Sequence, residues 1–347
     1  MAQVTLQTIA DRLGVSRMTV SNAYSRPDQL SDGLRTRILD TAAELGYPGP
    51  NPAARGLASG RAGTVGFFSE SLTWAFQDEG AARFVGALAS ELEPSGLALT
   101  LLTSAAEGDF IPARDVALDG AIVYLCQDDA LALDWLIQRR LPLVFVDHSA
   151  RDGFDNINVD DRGGARAAAE HLVHLGHRNV GIIASGGRGP TRLTTDALDT
   201  HSSTSLARLE GWHEVLADAG IVPTVCEANL FDADGGAVAA GLLLDESPQI
   251  TGILCFSDVI AAGAMREGQR RGLYAPDDIS VVGFDGSQLA ARLTPTLTTI
   301  RQDVDAKGRA AAKALVGRID ESSQTDQRIL LPVELVVGAS TGEPPTR

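Results

Sequence analysis

The sequence predicts a small all-α head of helix-turn-helix type, followed by a large α/β body with two parallel sheets. Three observations carry this. Residues 6–24 hold two short helical patterns joined at a glycine. From Thr64 onward, apolar strand-like runs alternate with helical patterns, the β-α-β rhythm that places helices on both faces of a parallel sheet. The rhythm passes through two successive series, which implies two lobes, with ligands expected between them at the carboxyl ends of the strands. A chain of 347 residues has room for two or three domains.

In the head, Leu6, Ile9, Ala10 and Leu13 recur at i, i+3, i+4, i+7 and form one face of a first helix. Gly14 can take the positive φ that stops it, and Val15 plugs the turn. Ser16 suits the N-cap of a second helix, because its hydroxyl can accept from an orphan N–H of the first turn. Val20 and Ala23 face back toward the first helix, which leaves Arg17, Met18, Ser21 and Asn22 outward. Such a pair of helices can lay the second in the DNA major groove. A third helix follows, with Ser31 as its cap, Leu34, Ile38, Ala42 and Leu45 as its apolar stripe, and Gly46 as its end.

Prolines 48 and 50 then break the helix, and Asn51-Pro52 restarts one that Gly60 ends. About two turns between breakers are unstable alone in water, and Gly56 costs roughly another 1 kcal/mol relative to Ala. The segment is either a plain linker or a hinge that folds only when something binds it.

The net charge of −16 is unevenly spread. Residues 1–62 hold seven arginines and five acids, a net of +2, which leaves −18 for the rest. Phosphates would repel the body, so only the head is expected to dock on DNA. No run approaches transmembrane length, and Met-Ala-Gln-Val-Thr is no signal peptide, so a cytoplasmic protein away from the membrane is expected. Cys126, Cys226 and Cys255 are far apart and read as reduced, buried thiols.

In the body, the first series predicts strands at 65–68, 97–103, 120–125 and 143–146, with helices near 81–93 and 131–139. The second predicts helices at 162–175, 206–219, 235–244 and 259–271 and strands at 180–184, 225–230, 252–255 and 279–284. Residues 186–205, rich in Gly, Thr, Ser and Asp, read as a long loop. The tail from residue 340, with two prolines, reads as frayed.

The head carries Thr5-Leu-Gln-Thr-Ile-Ala, Gly14-Val-Ser-Arg-Met-Thr-Val-Ser, Glu44-Leu-Gly-Tyr-Pro and Asn51-Pro-Ala-Ala-Arg-Gly-Leu. The body carries His171-Leu-Val-His-Leu-Gly-His-Arg, Arg208-Leu-Glu-Gly-Trp, Asp277-Asp-Ile-Ser-Val-Val-Gly-Phe-Asp, Pro295-Thr-Leu-Thr-Thr-Ile and Leu331-Pro-Val-Glu-Leu. In this order and spacing, the chain resembles the lactose-repressor (LacI/GalR) family of bacterial transcription regulators from about residue 4 to about residue 340.

The resemblance implies a helix-turn-helix domain at 1–49, a hinge at 50–62, and a periplasmic-binding-protein-like body at 63–340, with 341–347 as the tail. Lobe one would hold 63–160 and 296–321, and lobe two 161–294 and 322–340, joined by three crossovers. Family members dimerise through the body, with a tetramer as the larger alternative. A small effector in the cleft changes the lobe geometry and so the spacing of the heads, and dimer symmetry requires a near-palindromic operator.

It also assigns roles. Arg17, Met18, Ser21 and Asn22 stand at the major-groove positions, where Arg17 could hold a guanine and Asn22 an adenine or a phosphate. Thr5, Ser16 and Thr19 would contact phosphate. Leu57, beside Ala54, matches the leucine wedged into the central base step from the minor groove. For the effector, Asp147, Arg208 and Asp285 at strand and helix ends suit a polyhydroxylated sugar or nucleoside, through paired, charge-assisted hydrogen bonds. Phe76 and Phe231 are stacking candidates, and Ser257 and Asp258 complete the set. Departures fall on the cleft. Ser257-Asp258 stands where Asn-Asp is usual, residues 186–205 are long, and Ser71, Leu72, Thr73 and Trp74 lack the usual Asn-Pro-Phe.

Other motifs carry less. His171, His174 and His177 suggest a metal comb, but Gly176 ends the helix first, and a histidine there suits the negative end of a helix dipole. Gly186-Gly-Arg-Gly hints at a phosphate loop without the full motif. No cofactor is implied, and no activated nucleophile or clustered acid set supports an enzyme. The leading expectation is an effector-controlled repressor; the alternatives are a solute-binding receptor without DNA function and an enzyme on a doubly wound sheet.

Overall fold

The computed structural model describes residues 4–50, 56, 60–105, 107–124, 130–185, 189–194, 202–229, 232–323 and 326–346, the side chains of Trp74 and Gln77 excepted. The chain forms two compact units, one ending at Gly63 and the other beginning at Thr64.

In the first unit, Thr5 opens the helix Leu6–Leu13 through a reciprocal cap. The Thr5 hydroxyl accepts from the Thr8 N–H at 3.4 Å, and the Thr8 hydroxyl accepts from the Thr5 N–H at 3.2 Å. Two donors with no partner inside the helix are thereby met. Gly14 ends the helix at φ 67°, in the left-handed region that penalises a side chain. The Ser16 hydroxyl caps the next helix, Arg17–Ser25, by accepting from the Thr19 N–H at 3.0 Å. The third helix, Asp32–Glu44, follows Ser31, whose backbone is extended as a cap's should be but whose hydroxyl makes no cap bond. Ile9, Ala10, Val20, Ala23, Ile38 and Ala42 form the buried core, with Leu6, Leu13, Val15, Leu34 and Leu45 packed around it. Each buried isoleucine contributes about 1.5–3 kcal/mol, so this small head depends on Ile9 and Ile38.

The second unit has two lobes. The first lobe's sheet holds β1 (Thr64–Phe68), β2 (Ala98–Leu102), β3 (Gly120–Tyr124), β4 (Leu143–Val146), β5 (Asp155–Val159) and β12 (Arg328–Leu331). Its order is β12-β5-β4-β3-β1-β2, with every pair parallel. The second holds β6 (Val180–Ser185), β7 (Arg192–Thr194), β8 (Thr224–Ala228), β9 (Gly252–Cys255), β10 (Ser280–Asp285), β11 (Thr298–Gln302) and β13 (Val333–Val336). Its order is β13-β11-β10-β9-β6-β8-β7, parallel except at the edge strands β13 and β7. Both faces are covered by helices, so β3 and β6 are buried at every residue and read as unbroken apolar runs. In lobe two, the helices Asp161–His174 and Ser203–Asp218 approach so closely at Gly211 that a Cβ there would collide with the Arg162 carbonyl.

The lobe boundaries differ from the sequence reading. Residues 296–321 do not all belong to lobe one. β11 pairs with β10, Val282 opposite Thr298, and so lies in lobe two. The chain crosses at residues 302–304, and only then does the helix Val304–Ile319 pack on lobe one through Ala311, Ala312 and Leu315. Residues 322–340 are likewise divided. β12 pairs with β5 in lobe one, and β13 with β11 in lobe two. Periodicity reveals a strand but not its partner, because pairing is non-local.

Two further readings are corrected. The stretch 186–205 is not all loop: β7 lies within it, antiparallel to β8, and the next helix begins at Ser203. The described tail is not frayed at its root. Ser340 is wholly buried; its hydroxyl accepts from the Thr298 N–H at 2.8 Å and donates to the Val281 carbonyl at 2.6 Å. The buried ring of His177 lies 2.9 Å from the Thr251 hydroxyl, 3.0 Å from that of Ser280 and 3.0 Å from the Gly342 carbonyl, and the His171 ring lies 2.9 Å from the Thr341 hydroxyl. These histidines anchor the tail. Cys226 and Cys255 are buried, and burial pushes both thiols up, Cys226 to about 12. Among the described residues, no helix is long and apolar enough to cross a membrane.

Candidate functional site

Two surfaces collect the predicted residues. The first is the outer face of Arg17–Ser25. Arg17 is exposed and Met18 is 69% exposed, the strongest exposure of a large apolar side chain on the head. Ser21 and Asn22 are half-buried. The Asn22 side-chain amide donates to Gln29 Oε1 at 3.1 Å, which fixes its plane. Thr5 and Ser16 sit at the N-terminal ends of the two helices, where free N–H groups and the helix dipole favour an anion. Thr19 lies beside Ser16, with hydroxyls 2.8 Å apart. Tyr24 and Tyr47 meet edge to face at 6.1 Å. Ala54 and Leu57, the expected minor-groove residues, lie outside the described residues.

The second surface is the cleft of the body. Asp147 follows β4 at φ 54°, and Asp285 ends β10 at φ 120°. Two carboxylates in this region of φ, each at the carboxyl end of a parallel strand, are a concentration of backbone strain. Arg208 is 3% exposed. Its Nε donates to Asp161 Oδ1 at 2.8 Å, its Nη1 donates to the Phe256 carbonyl, and it lies 3.8 Å from Asp285 Oδ1. Its guanidinium lies over the rings of Phe284, at 3.5 Å, and Phe256, at 4.6 Å. Stacked and bonded, Arg208 has little rotamer freedom left.

A chain of polar contacts then runs from lobe to lobe. The Gln302 amide donates to Asp285 Oδ1 at 2.9 Å, the Lys307 ammonium donates to Gln302 Oε1 at 3.0 Å, and it donates to Asp147 Oδ2 at 2.5 Å. Burial raises the Asp161 carboxyl, with Arg208 pulling it back, and raises Asp285 well above the usual carboxylate range, again against Arg208. Tyr124, at the end of β3, is raised by burial and by Asp147.

Three buried oxygens, one in lobe one and two in lobe two, have no hydrogen-bond partner among the described residues: Asp147 Oδ1, Ser185 Oγ and Thr204 Oγ1. Ser185 ends β6, and Thr204 lies in the first turn of Ser203–Asp218. Unmet buried acceptors and hydroxyls cost about 1–3 kcal/mol each, and a polyhydroxylated ligand would satisfy them.

The structure thus brings Asp147, Arg208 and Asp285 into one network. Phe76 is half exposed at 51% on the short helix Leu72–Gln77; Phe231 lies outside the described residues. Ser257 and Asp258 are already engaged. The Ser257 hydroxyl caps Asp258–Arg270 by accepting from the Ile260 N–H at 3.3 Å. Asp258 accepts from the Thr299 hydroxyl at 2.5 Å and from the N–H and hydroxyl of Ser287, each at 2.8 Å. It braces β11 against the turn after β10, and burial pushes its carboxyl up to about 6 against those donors.

Sequence reasoning missed Asp161, Gln302, Lys307, Ser185 and Thr204. For Lys307 a signal existed. It is one of two lysines in the chain and falls three residues after Val304 and four before Ala311, on an otherwise apolar helix stripe. Ser185 and Thr204 flank the glycine- and threonine-rich stretch and carry no comparable pattern.

With this geometry in place, comparison with known proteins is specific. Residues 5–51 match the model for bacterial regulatory proteins of the lacI family, and residues 169–341 match that for a periplasmic binding protein-like domain. An HTH-type transcriptional regulator of Mycolicibacterium smegmatis is 37% identical, over 99% of this chain and 97% of its own. The lac repressor dimer bound to operator and the anti-inducer ONPF superposes with a TM-score of 0.81 at 28% identity, covering 98% of this chain and 100% of that one. The complex of the transcriptional regulator CelR with cellobiose gives 0.70 at 27% identity, covering 97% and 100%. The head that presents Arg17 and the two-lobed body around Arg208 are therefore parts of one kind of molecule, and the chain belongs to the lacI family of DNA-binding bacterial transcriptional regulators.

Proposed function

We propose that the protein is a repressor whose operator affinity is set by a small polyhydroxylated effector, sugar- or nucleoside-like, bound between the lobes. The observation that carries this is the set of unmet buried oxygens, Asp147 Oδ1, Ser185 Oγ and Thr204 Oγ1, together with the Arg208–Asp285 pair. The set spans both lobes, so a ligand that satisfies it stabilises one lobe arrangement over another, the differential contact that allostery requires. The cellobiose complex of a relative favours a sugar.

On this reading the protein acts as a homodimer, as the operator-bound relative does, and two heads engage a near-palindromic operator. Arg17, Met18, Ser21 and Asn22 read base edges, Thr5, Ser16 and Thr19 hold phosphates, and Ala54 and Leu57 enter the minor groove. The role is regulatory rather than catalytic. A thermal-shift screen of sugars, polyols and nucleosides tests the cleft. A ligand at 100 times its dissociation constant adds about 2.7 kcal/mol of stability. A complete screen in which nothing raises the melting temperature speaks against the effector.

A further inference from the structure

Lys307 lies on the helix Val304–Ile319 of lobe one and is 2% exposed. A buried ammonium is costly unless paired and hydrogen-bonded. Here it donates to Asp147 Oδ2 at 2.5 Å and to Gln302 Oε1 at 3.0 Å, and it stands 5.9 Å from the centroid of the Tyr124 ring. Its charge is thus spent inside the protein rather than offered to a ligand. Asp147 is 7% exposed, and among the described residues only one of its side-chain oxygens is taken; Oδ1 is buried without a partner among them.

We propose that Lys307 is a positioning residue of the cleft, whose ammonium clamps and compensates one oxygen of Asp147 so that the other is presented to a hydroxyl donor of the bound ligand. This rests on the reading of the cleft as an effector site. It adds a selection rule. The ligand atom at Asp147 is a hydrogen-bond donor, and a ligand carboxylate or phosphate there is rejected by acceptor facing acceptor. Through Gln302 and its bond to Asp285, the clamp also ties the lobe-one acid to the lobe-two pair.

The test uses the full chain as wild type, Lys307→Met, Lys307→Arg and the double variant Lys307→Met/Asp147→Asn. The first readout needs no ligand: urea unfolding between about pH 5 and about pH 8. In Lys307→Met the Asp147 carboxylate is buried with no cation beside it. Asp161 faces it from the helix Asp161–His174 and Tyr124 from β3, with Asp78, Asp285 and Arg208 in the same field. These groups are common to all four proteins. The uncompensated acid then favours its neutral form, so the folded state of Lys307→Met alone gains a proton and loses stability as pH rises. Lys307→Arg and the double variant lack that extra slope. An equal loss at every pH would make Lys307 a space-filler and overturn the proposal.

The second readout is a thermal-shift titration with glucose, ribose and cellobiose near neutral pH. Any of these that binds the wild type binds Lys307→Arg comparably and Lys307→Met about tenfold or more weakly, the worth of one charge-assisted hydrogen bond. Undiminished binding by Lys307→Met overturns the proposal. If none binds the wild type, the effector reading fails for these sugars, and the pH arm still decides the clamp.

Discussion

Arg208 donates from Nε to Asp161 Oδ1 at 2.8 Å, and both side chains are almost wholly buried, at 4% and 7% exposure. The pair joins the first turn of Asp161–His174 to the first turns of Ser203–Asp218. It therefore holds the guanidinium in place, which on the proposed reading of the cleft lowers the ordering cost of binding. Arg208→Met leaves the buried Asp161, and Asp285 near it, without that cation. The expected loss is about 3–5 kcal/mol, because one-sided removal of a buried pair strands a charge. Urea unfolding measures it; a variant within about 1 kcal/mol of wild type would refute a structural role for the pair.

Asp258 gives a pH signature. Its folded-state carboxyl is pushed up to about 6, above the roughly 3.9 of an unfolded aspartate. The folded state thus holds the proton more tightly, and this contribution to stability is present in acid and lost as pH rises through about 6. Asp258→Asn removes it, on the order of 2 kcal/mol between about pH 4 and about pH 7, while also losing hydrogen bonds at every pH. His171, His177 and His213 are lowered by burial and act in the opposite sense, but they are common to both proteins and cancel in the comparison. Identical pH slopes in the two proteins contradict the assignment.

The tail yields a third expectation. Ser340→Ala leaves the Thr298 N–H and the Val281 carbonyl without their hydroxyl partner, at a cost of about 1–3 kcal/mol. Removing residues 341–347 also takes the Gly342 carbonyl from His177 and should cost more. A frayed tail would make both changes silent in thermal unfolding.

Much of this was legible in sequence, and the failures have a common cause. Leu6, Ile9, Gly14, Ser16 and Val20 specified the head because caps and i, i+4 spacing are local. Asp147 and Asp285 were found as acids at the ends of apolar runs. Lobe membership of β11 and β12 was misjudged because it is set by which strand each one pairs with, across long stretches of chain. Asp258 was read as a ligand contact; that Thr299 and Ser287 also donate to its two oxygens was not legible, because only folding brings them to it. Lys307 was overlooked although its helical phase put it inside.

On the head, Arg17→Ala leaves stability unchanged, since the side chain is exposed. If Arg17 reads a guanine, the variant loses about 1–3 kcal/mol at one base pair per half-site and binds operator variants at that position alike. A uniform loss across all sequences with a shallower salt slope makes it a phosphate contact instead.

The central claim is that occupancy of the cleft is transmitted to the heads. Its most direct measurement is operator affinity by fluorescence anisotropy, at fixed salt, with and without the ligand that gives the largest thermal shift. The operator would be a near-palindromic sequence selected from random DNA by the full-length protein. The expected result is a change of about 5–150-fold in the wild type. In Asp285→Asn, ligand-free DNA binding persists and the response to ligand is lost. A ligand that stabilises the body yet leaves operator affinity unchanged would contradict the account.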